Sequence, residues 1–194
     1  MKKILCVLLL FVIGCTPKTT IKTTMIEIQK HVYVEKEFKD SWLEMNEFGD
    51  SYIKEELQGG YSYSYDDQYL EIFFNSDGKI ELYNYSIKKD NLIISGEMIP
   101  PATIRLVHPH LENVTSEGVI IHELGHYFDE KYHFSSSKQF IKLYKENKTL
   151  FKQKTKKEYF AECFKEYVGN HQEKVKPFQS YMETITKKIR QNNK

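Results

Sequence analysis

The spacing of apolar residues changes along the chain, and each spacing predicts a different element. Residues 4–13 form an unbroken apolar run, whereas residues 35–57 carry large apolar side chains at intervals of three and four. Such intervals place side chains on one face of a helix, so we expect a core helix over residues 35–57. Residues 61–65 alternate Tyr with Ser, which is typical of a half-exposed strand.

Strand patterns continue through the middle of the chain. Residues 69–75 and 79–85 flank residues 76–78, a Ser-Asp-Gly sequence whose Gly tolerates positive φ. These two segments are therefore predicted to form a β-hairpin. Short apolar segments at residues 92–95 and 103–107 predict two further strands.

From residue 115 onward the pattern is typical of helices. We expect one helix from a cap at Thr115 or Ser116 to about Lys131, and three more over residues 138–151, 156–168 and 175–189. Gly169 and Asn170 are typical of a helix end. Strands first and helices later indicate an α+β fold, with an upstream sheet and a C-terminal helical part.

The N-terminus has the pattern of an export signal. Lys2 and Lys3 precede the apolar run, which is too short to span a bilayer as a helix and ends at Gly14 and Cys15. This ending is similar to the lipobox of bacterial lipoproteins, in which the Cys is lipidated and becomes the new N-terminus. We expect a signal peptide over residues 1–14 and a lipid anchor at Cys15, on the extracytoplasmic side of the cell membrane. The alternative is an ordinary secretory signal with an incidental Cys.

Composition indicates the domain organisation. Residues 15–24 are rich in Thr and Lys and predict a flexible tether, which leaves residues 25–194 for a single domain. The chain has 28 basic and 27 acidic residues, and loss of two lysines with the signal peptide makes the mature charge about −1. This balance gives no reason to expect nucleic acid as a partner. Cys163 would be left alone, so it is predicted to be a small apolar core residue and not part of a disulfide framework.

Candidate chemistry enters with the sequence His-Glu-Leu-Gly-His that begins at His122. On a helix, His122 and His126 lie on one face, within reach of a single ion. Glu123 lies beside that ion, where it can hold a zinc-bound water and accept its proton. Leu124 can pack behind the motif, and Gly125 allows another element to approach closely. The motif therefore predicts two ligands and a general base for one Zn2+.

Catalytic zinc usually has three protein ligands, so one more is needed. The metzincin pattern, with Gly and His three and six residues past the motif, is excluded because Asp129 and Tyr132 stand there. A carboxylate from the 156–168 helix can serve instead, because Glu158 and Glu162 lie four residues apart on one face. Either could bind the ion, and the other could orient a ligating His. Glu158 also fits a capping box with the Thr three residues before it, and spacing alone leaves these alternatives open.

The chain resembles the catalytic-domain family of anthrax lethal factor, which includes the secreted Pro-Pro endopeptidases. Two sequences in combination carry the resemblance: the His-Glu-Leu-Gly-His motif, and Glu-Tyr-Phe-Ala-Glu-Cys-Phe from Glu158. The resemblance covers about residues 103–189. It implies a small zincin-like metallopeptidase domain, with Glu158 as the third zinc ligand, Glu162 in the supporting position and Glu123 as the general base. By analogy with zinc peptidases, residues 103–107 would be the edge strand that aligns an extended substrate.

One position departs from that family. Seven residues before the ligand Glu, the family has a Tyr whose hydroxyl donates to the oxyanion, and Phe151 stands there. Tyr144 is the candidate replacement if a gap shifts the alignment. A donor of this kind contributes ~10²–10³ in rate, so its loss would slow the enzyme without abolishing zinc chemistry.

The sequence therefore predicts a membrane-anchored extracytoplasmic zinc metalloendopeptidase, which hydrolyses bonds of a peptide or protein substrate through a zinc-activated water. The alternative, motivated by Phe151, is a zinc-binding lipoprotein or adhesion module that derives from a peptidase and has little or no activity. Glu123 favours the enzyme, because a module that only binds zinc has no need of a general base.

Overall fold

The computed structural model describes residues 24–39, 68–83, 87–89, 92–94, 96–107, 118–152, 155–169 and 171–193. The predicted signal peptide, Cys15, nearly all of the tether, the 61–65 strand and most of the 35–57 helix lie outside the described residues. At the start of that predicted helix, Glu35 ends a strand, and a 3-10 turn follows at Lys36–Phe38.

The described strands form one mixed sheet and one separate hairpin. The strands of the sheet are β1 (Met25–Gln29), β2 (Val32–Glu35), β3 (Lys79–Tyr83), β6 (Gly96–Ile99) and β7 (Thr103–Val107). Their order in the sheet is β1-β2-β3-β7-β6. β3 pairs in parallel with β2 and β7, whereas β1 and β6 run antiparallel to their neighbours. The hairpin consists of β4 (Ile87–Lys89) and β5 (Leu92–Ile94).

The helices follow mainly after the sheet, which confirms the α+β class. Within the described residues they are α1 (Gln68–Phe74), α2 (Val119–Tyr132), α3 (Lys138–Glu146), α4 (Lys156–Val168) and α5 (Gln179–Gln191). α4 has the predicted bounds, and α3 ends five residues before its predicted end. α5 starts later than predicted, because a 3-10 segment, Gln172–Phe178, contains Pro177 and precedes it.

The prediction of a hairpin over residues 69–85 is wrong in its first half, where α1 stands in place of a strand. The buried side chains of α1 are Tyr69, Leu70, Ile72 and Phe73. A helix can bury two adjacent pairs of this spacing on one face, whereas a strand would turn alternate side chains to the other side. Packing therefore outweighs the strand propensity of Tyr, Ile and Phe. The second half is confirmed as β3.

Two further expectations need correction. Residues 103–107 form β7 as predicted, but β7 lies inside the sheet between β3 and β6, so β6 is the edge strand among the described strands. Sequence reasoning missed β6, a strand of only four residues that begins with Gly96. The helix of the His motif begins at Val119 after Gly118, and not at Thr115 or Ser116, which lie outside the described residues.

The core lies where the helices cover one face of the sheet. Ile80 of β3 and Ile104 of β7 are fully buried there, and α2 packs against α4. The two helices approach closely at Gly125, where a Cβ would lie 2.8 Å from the Cα of Ala161. This confirms the expectation for Gly125. Cys163 on α4 is fully buried, as predicted, and burial raises the pKa of its thiol.

Candidate metal centre

α2 presents His122 and His126 on one face, with their ring centroids 4.9 Å apart. Their side chains are only 18% and 16% exposed. Leu124 is completely buried and holds the opposite side of α2 against the core, as expected. Gly118 caps the helix with a φ of 74°, a left-handed conformation that favours glycine.

α4 brings Glu158 to these two rings. One carboxylate oxygen lies 3.4 Å from Nε2 of His122, and the other lies 3.4 Å from Nε2 of His126. The backbone N–H of Glu158 also donates to the hydroxyl of Thr155, which caps α4, at 3.2 Å. The Thr155 half of the predicted capping box therefore forms, whereas the Glu158 side chain, which would complete the box at the backbone N–H of Thr155, lies in the cluster instead.

The chemistry of the donors fits a zinc ion. One ligand atom from each of His122, His126 and Glu158 can be chosen so that all three lie within 4.8 Å of one another. Two ligands about 2.0–2.1 Å from a tetrahedral ion are separated by about 3.3 Å, which is close to the two nitrogen–oxygen distances of 3.4 Å. Two imidazoles and one carboxylate, with a fourth position open, are a ligand set that catalytic zinc uses.

Glu162 lies behind His122, on the side away from Glu158. Its carboxylate is 3.2 Å from Nδ1 of His122. A proton on Nδ1 would make this contact a hydrogen bond and would leave the lone pair of Nε2, on the side of Glu158, to bind a metal ion. Lys165 in turn holds the second oxygen of Glu162 at 2.6 Å. The geometry thus separates the two carboxylates that spacing alone could not distinguish.

Glu123 is buried beside the cluster, with an exposed fraction of 6%. Its carboxylate accepts a hydrogen bond from the backbone N–H of Met98 in the edge strand β6. Burial raises the pKa of Glu123, and this effect outweighs the lowering by His122 and His126. A carboxylate with a raised pKa is a better proton acceptor at neutral pH than an ordinary one.

Electrostatics in the cluster favour positive charge between the carboxylates. Burial lowers the pKa of His122, but Glu158 and Glu162 outweigh it and raise the value from 6.5 to about 9. Both imidazoles lower the pKa of Glu158. Burial raises the pKa of Glu162, but His122 and Lys165 hold it at about 2. A proton on His122 or a metal cation can supply the positive charge that these carboxylates stabilise.

Tyr144, the candidate oxyanion donor, lies on α3 and packs its ring against that of Tyr159, with centroids 5.1 Å apart. Phe151 packs against the same ring at 5.1 Å. Within the described residues, no hydrogen bond joins the Tyr144 hydroxyl to the cluster. Tyr159, which follows Glu158, is itself buried and donates to the carbonyl of Asn147.

Two residues of the site were missed by sequence reasoning. Lys165 lies three residues after Glu162, an ion-pair spacing on a helix that could have revealed it. Met98 contributes only its backbone N–H, so its side chain carries no signal. Of the other histidines, His171 pairs with Glu166 and His31 stacks on Phe74, in keeping with structural roles.

Comparison with protein-family models gives no match for this chain, and comparison with curated proteins gives none either. The helices within the described residues are all too short or too polar to cross a bilayer. The functional interpretation therefore depends on the site itself.

Proposed function

We propose that this chain is a membrane-anchored, extracytoplasmic zinc metalloendopeptidase with a zincin-like fold, related to the catalytic-domain family of anthrax lethal factor. The observation that carries the proposal is the convergence of His122, His126 and Glu158 beside the buried carboxylate of Glu123. Two histidines and one carboxylate are ligands of a common class of zinc peptidase, and the Glu after the first His is its general base.

Each side chain of the cluster has a separate role in the proposed reaction. Zinc, when bound by His122, His126 and Glu158, supplies a Lewis acid that acidifies water and polarises a carbonyl. Glu123 accepts the proton of the attacking water and then donates it to the leaving amine nitrogen. Glu162 accepts a hydrogen bond from Nδ1 of His122 and so keeps the ring in its ligating orientation.

The proposed substrate is an extended peptide or protein segment that adds to the outer edge of β6. β6 uses one edge to pair with β7 and ends the sheet. In the antiparallel register, Met98 lies opposite Ile104, and its backbone N–H donates to Glu123. A peptide at this edge would therefore lie beside the general base.

The proposed location depends on residues outside the described part of the chain. Its support is the sequence pattern alone: two lysines, an apolar run and Cys15 at the end of that run. Lipid on Cys15 would hold the domain at the outer side of the cell membrane.

Zinc content and cleavage of a broad peptide library, measured on the wild type and on Glu123→Gln, test the proposed activity. Both proteins should bind one zinc ion, because Glu123 is not a ligand. Cleavage should fall by at least ~10²–10⁴ in the variant, the usual contribution of a general acid–base group. If both proteins bind zinc and neither cleaves any peptide, the peptidase proposal fails.

That outcome would favour a second candidate, a zinc-binding lipoprotein without catalysis. The observation behind it is the packing of Tyr144 and Phe151 against Tyr159, which leaves the oxyanion donor unidentified. Clear turnover by the wild type would eliminate this candidate.

A further inference from the structure

Positive charge is concentrated in one stretch of the chain. Residues 138–157 contain eight lysines and a single acidic residue, Glu146, which gives a net charge of +7. The whole chain carries +1, so the remainder carries −6. The stretch comprises α3, the connection after it and the cap and first residues of α4. The net charge of the whole chain does not reveal this uneven distribution, because the charges of the two parts nearly cancel.

Most of these lysines are exposed and, as far as the structure describes the chain, form no salt bridge. They are Lys138, Lys142, Lys145, Lys148, Lys152 and Lys156, and together they are called the basic face below. Lys157 differs, because it pairs with Glu130 of α2 at 3.1 Å. The basic face therefore has charge that the described parts of the protein do not neutralise.

The three lysines of the basic face that belong to α3 lie on the side of the helix that is turned away from the core. Phe140 is fully buried, and Leu143 and Tyr144 are partly buried against the core. Lys138, Lys142 and Lys145 follow one another at intervals of four and three residues, so they share the opposite side of the helix.

We propose that the basic face docks on the anionic lipid surface of the membrane that anchors the chain. The inference rests on the proposed lipid anchor and is independent of the proposed catalysis. Nine residues, 16–24, separate Cys15 from β1, and even a fully extended chain from Cys15 to Met25 reaches at most about 35 Å. The domain is thus confined near the bilayer, where each lysine at an anionic surface strengthens binding by about fivefold.

An acidic peptide substrate is a less suitable partner for this face. α3 packs on α4 and on the 3-10 turn Phe134–Ser136, whereas the edge strand β6 packs on α2. A peptide aligned along β6 would lie beside α2. The described residues give it no contact with the outer side of α3.

Amine labelling with mass spectrometry can test the docking on the full chain. The protein is reconstituted into vesicles of phosphatidylcholine alone or of phosphatidylcholine with phosphatidylglycerol, and labelling rates are measured lysine by lysine. Lysines of the basic face should react at least about fivefold more slowly in the anionic vesicles. High salt, which shortens the Debye length to about 3 Å, should abolish the difference. Lys30, exposed in the β1–β2 turn, is the matched control and should react equally in both.

Equal rates for the basic face in the two kinds of vesicle would overturn the proposal. So would slowing of the basic face in neutral vesicles by an added acidic peptide, without any effect of phosphatidylglycerol, because the partner would then be a peptide. Neither result depends on zinc or on peptide cleavage, so failure here is distinguishable from failure of the proposed function.

Discussion

Carboxylates on the sheet and carboxylates between α2 and α4 are balanced in different ways. On the sheet, Glu81 accepts hydrogen bonds from Lys79 at 2.6 Å, from Tyr83 at 2.8 Å and from Arg105 at 3.3 Å. Burial raises its pKa, but these donors together hold the pKa below the ordinary value of 4.5. Glu81 is therefore fully compensated by neighbours from its own sheet.

The cluster between α2 and α4 reaches such a balance only when an imidazole carries a proton or a cation is bound. Three carboxylates, those of Glu123, Glu158 and Glu162, meet two imidazoles and the ammonium group of Lys165. With neutral imidazoles, the group is short of two positive charges, which is the charge of one divalent cation. Burial therefore does not distinguish the two groups of carboxylates, whereas the balance of charge around them does.

Removal of a proposed zinc ligand should have the largest effect. Glu158→Ala removes one of the three proposed ligands. The zinc affinity of the variant should therefore fall by more than the ~10–100-fold that is typical when a residue hydrogen-bonded to a ligand is lost. Glu81→Gln should leave zinc affinity unchanged and lower the free energy of unfolding by about 1 kcal/mol, because its partners Lys79 and Arg105 remain partly exposed. Chelator competition and chemical denaturation measure the two effects. Equal zinc affinities of the wild type and Glu158→Ala would remove Glu158 from the site.

Loss of the carboxylate behind His122 should have the next largest effect. Glu162→Gln keeps the shape of the side chain but removes the charge that orients and polarises Nδ1 of His122. Zinc affinity should fall by ~10–100-fold. The same chelator competition measures it, with the thermal midpoint of the zinc-free variant as a control for folding. An affinity loss as large as that of Glu158→Ala would mean that Glu162 is itself a ligand.

The pH dependence should differ between the two groups of carboxylates. Without zinc, the raised pKa of His122 adds stability that is fully present below pH 6.5 and is lost as pH rises through about 9. Zinc competes with that proton, so its affinity should increase by about tenfold per pH unit over the same window. Glu81 has a lowered pKa, so its contribution is present above pH 4.5 and is lost in acid.

Zinc titrations between pH 6.5 and 9 measure the predicted competition. Over the same range, the free energy of unfolding of the zinc-free protein should fall as pH rises. The zinc-free His122→Gln variant should not show this fall. Zinc affinity that does not change with pH in this window would contradict the proton competition.

The smallest effect is expected from Lys165. Lys165→Gln removes the ammonium group that lies 2.6 Å from Glu162. Zinc affinity should fall by a few-fold, less than the ~10–100-fold expected when a residue that hydrogen-bonds a ligand directly is lost. Lys157→Gln is a matched control on the same helix, since Lys157 pairs with Glu130 and does not touch the cluster. Equal zinc affinities of the two variants would show that Lys165 does not position Glu162, and Lys165→Arg should restore the affinity if it does.

The fold was predictable from sequence where local pattern and packing agree. α4 shows the agreement, since its Thr155 cap and apolar spacing are both visible in the sequence and its bounds match the prediction. α1 shows the conflict, because strand-forming residues are buried on one helical face. β6 could not be identified, because four residues with a Gly give little pattern, and its place at the edge depends on pairing with β7.

The candidate site was predictable as far as helix periodicity extends. Spacing of four residues put His122 and His126 together on α2, and put Glu158 and Glu162 together on α4. It could not rank the two carboxylates, because their difference comes from how α4 lies across α2 at Gly125. The contact of Glu123 with the Met98 backbone depends on sheet order, which no local pattern contains.

The burial of Cys163 has a practical consequence for handling the protein in air. Its sulfur has no exposed surface, and burial together with the charges of Glu162 and Glu166 raises the pKa of the thiol, so the reactive thiolate is scarce in the folded chain. Oxidation should therefore require the α2–α4 core to open first. The rate at which Cys163 is alkylated would then measure how often the core opens.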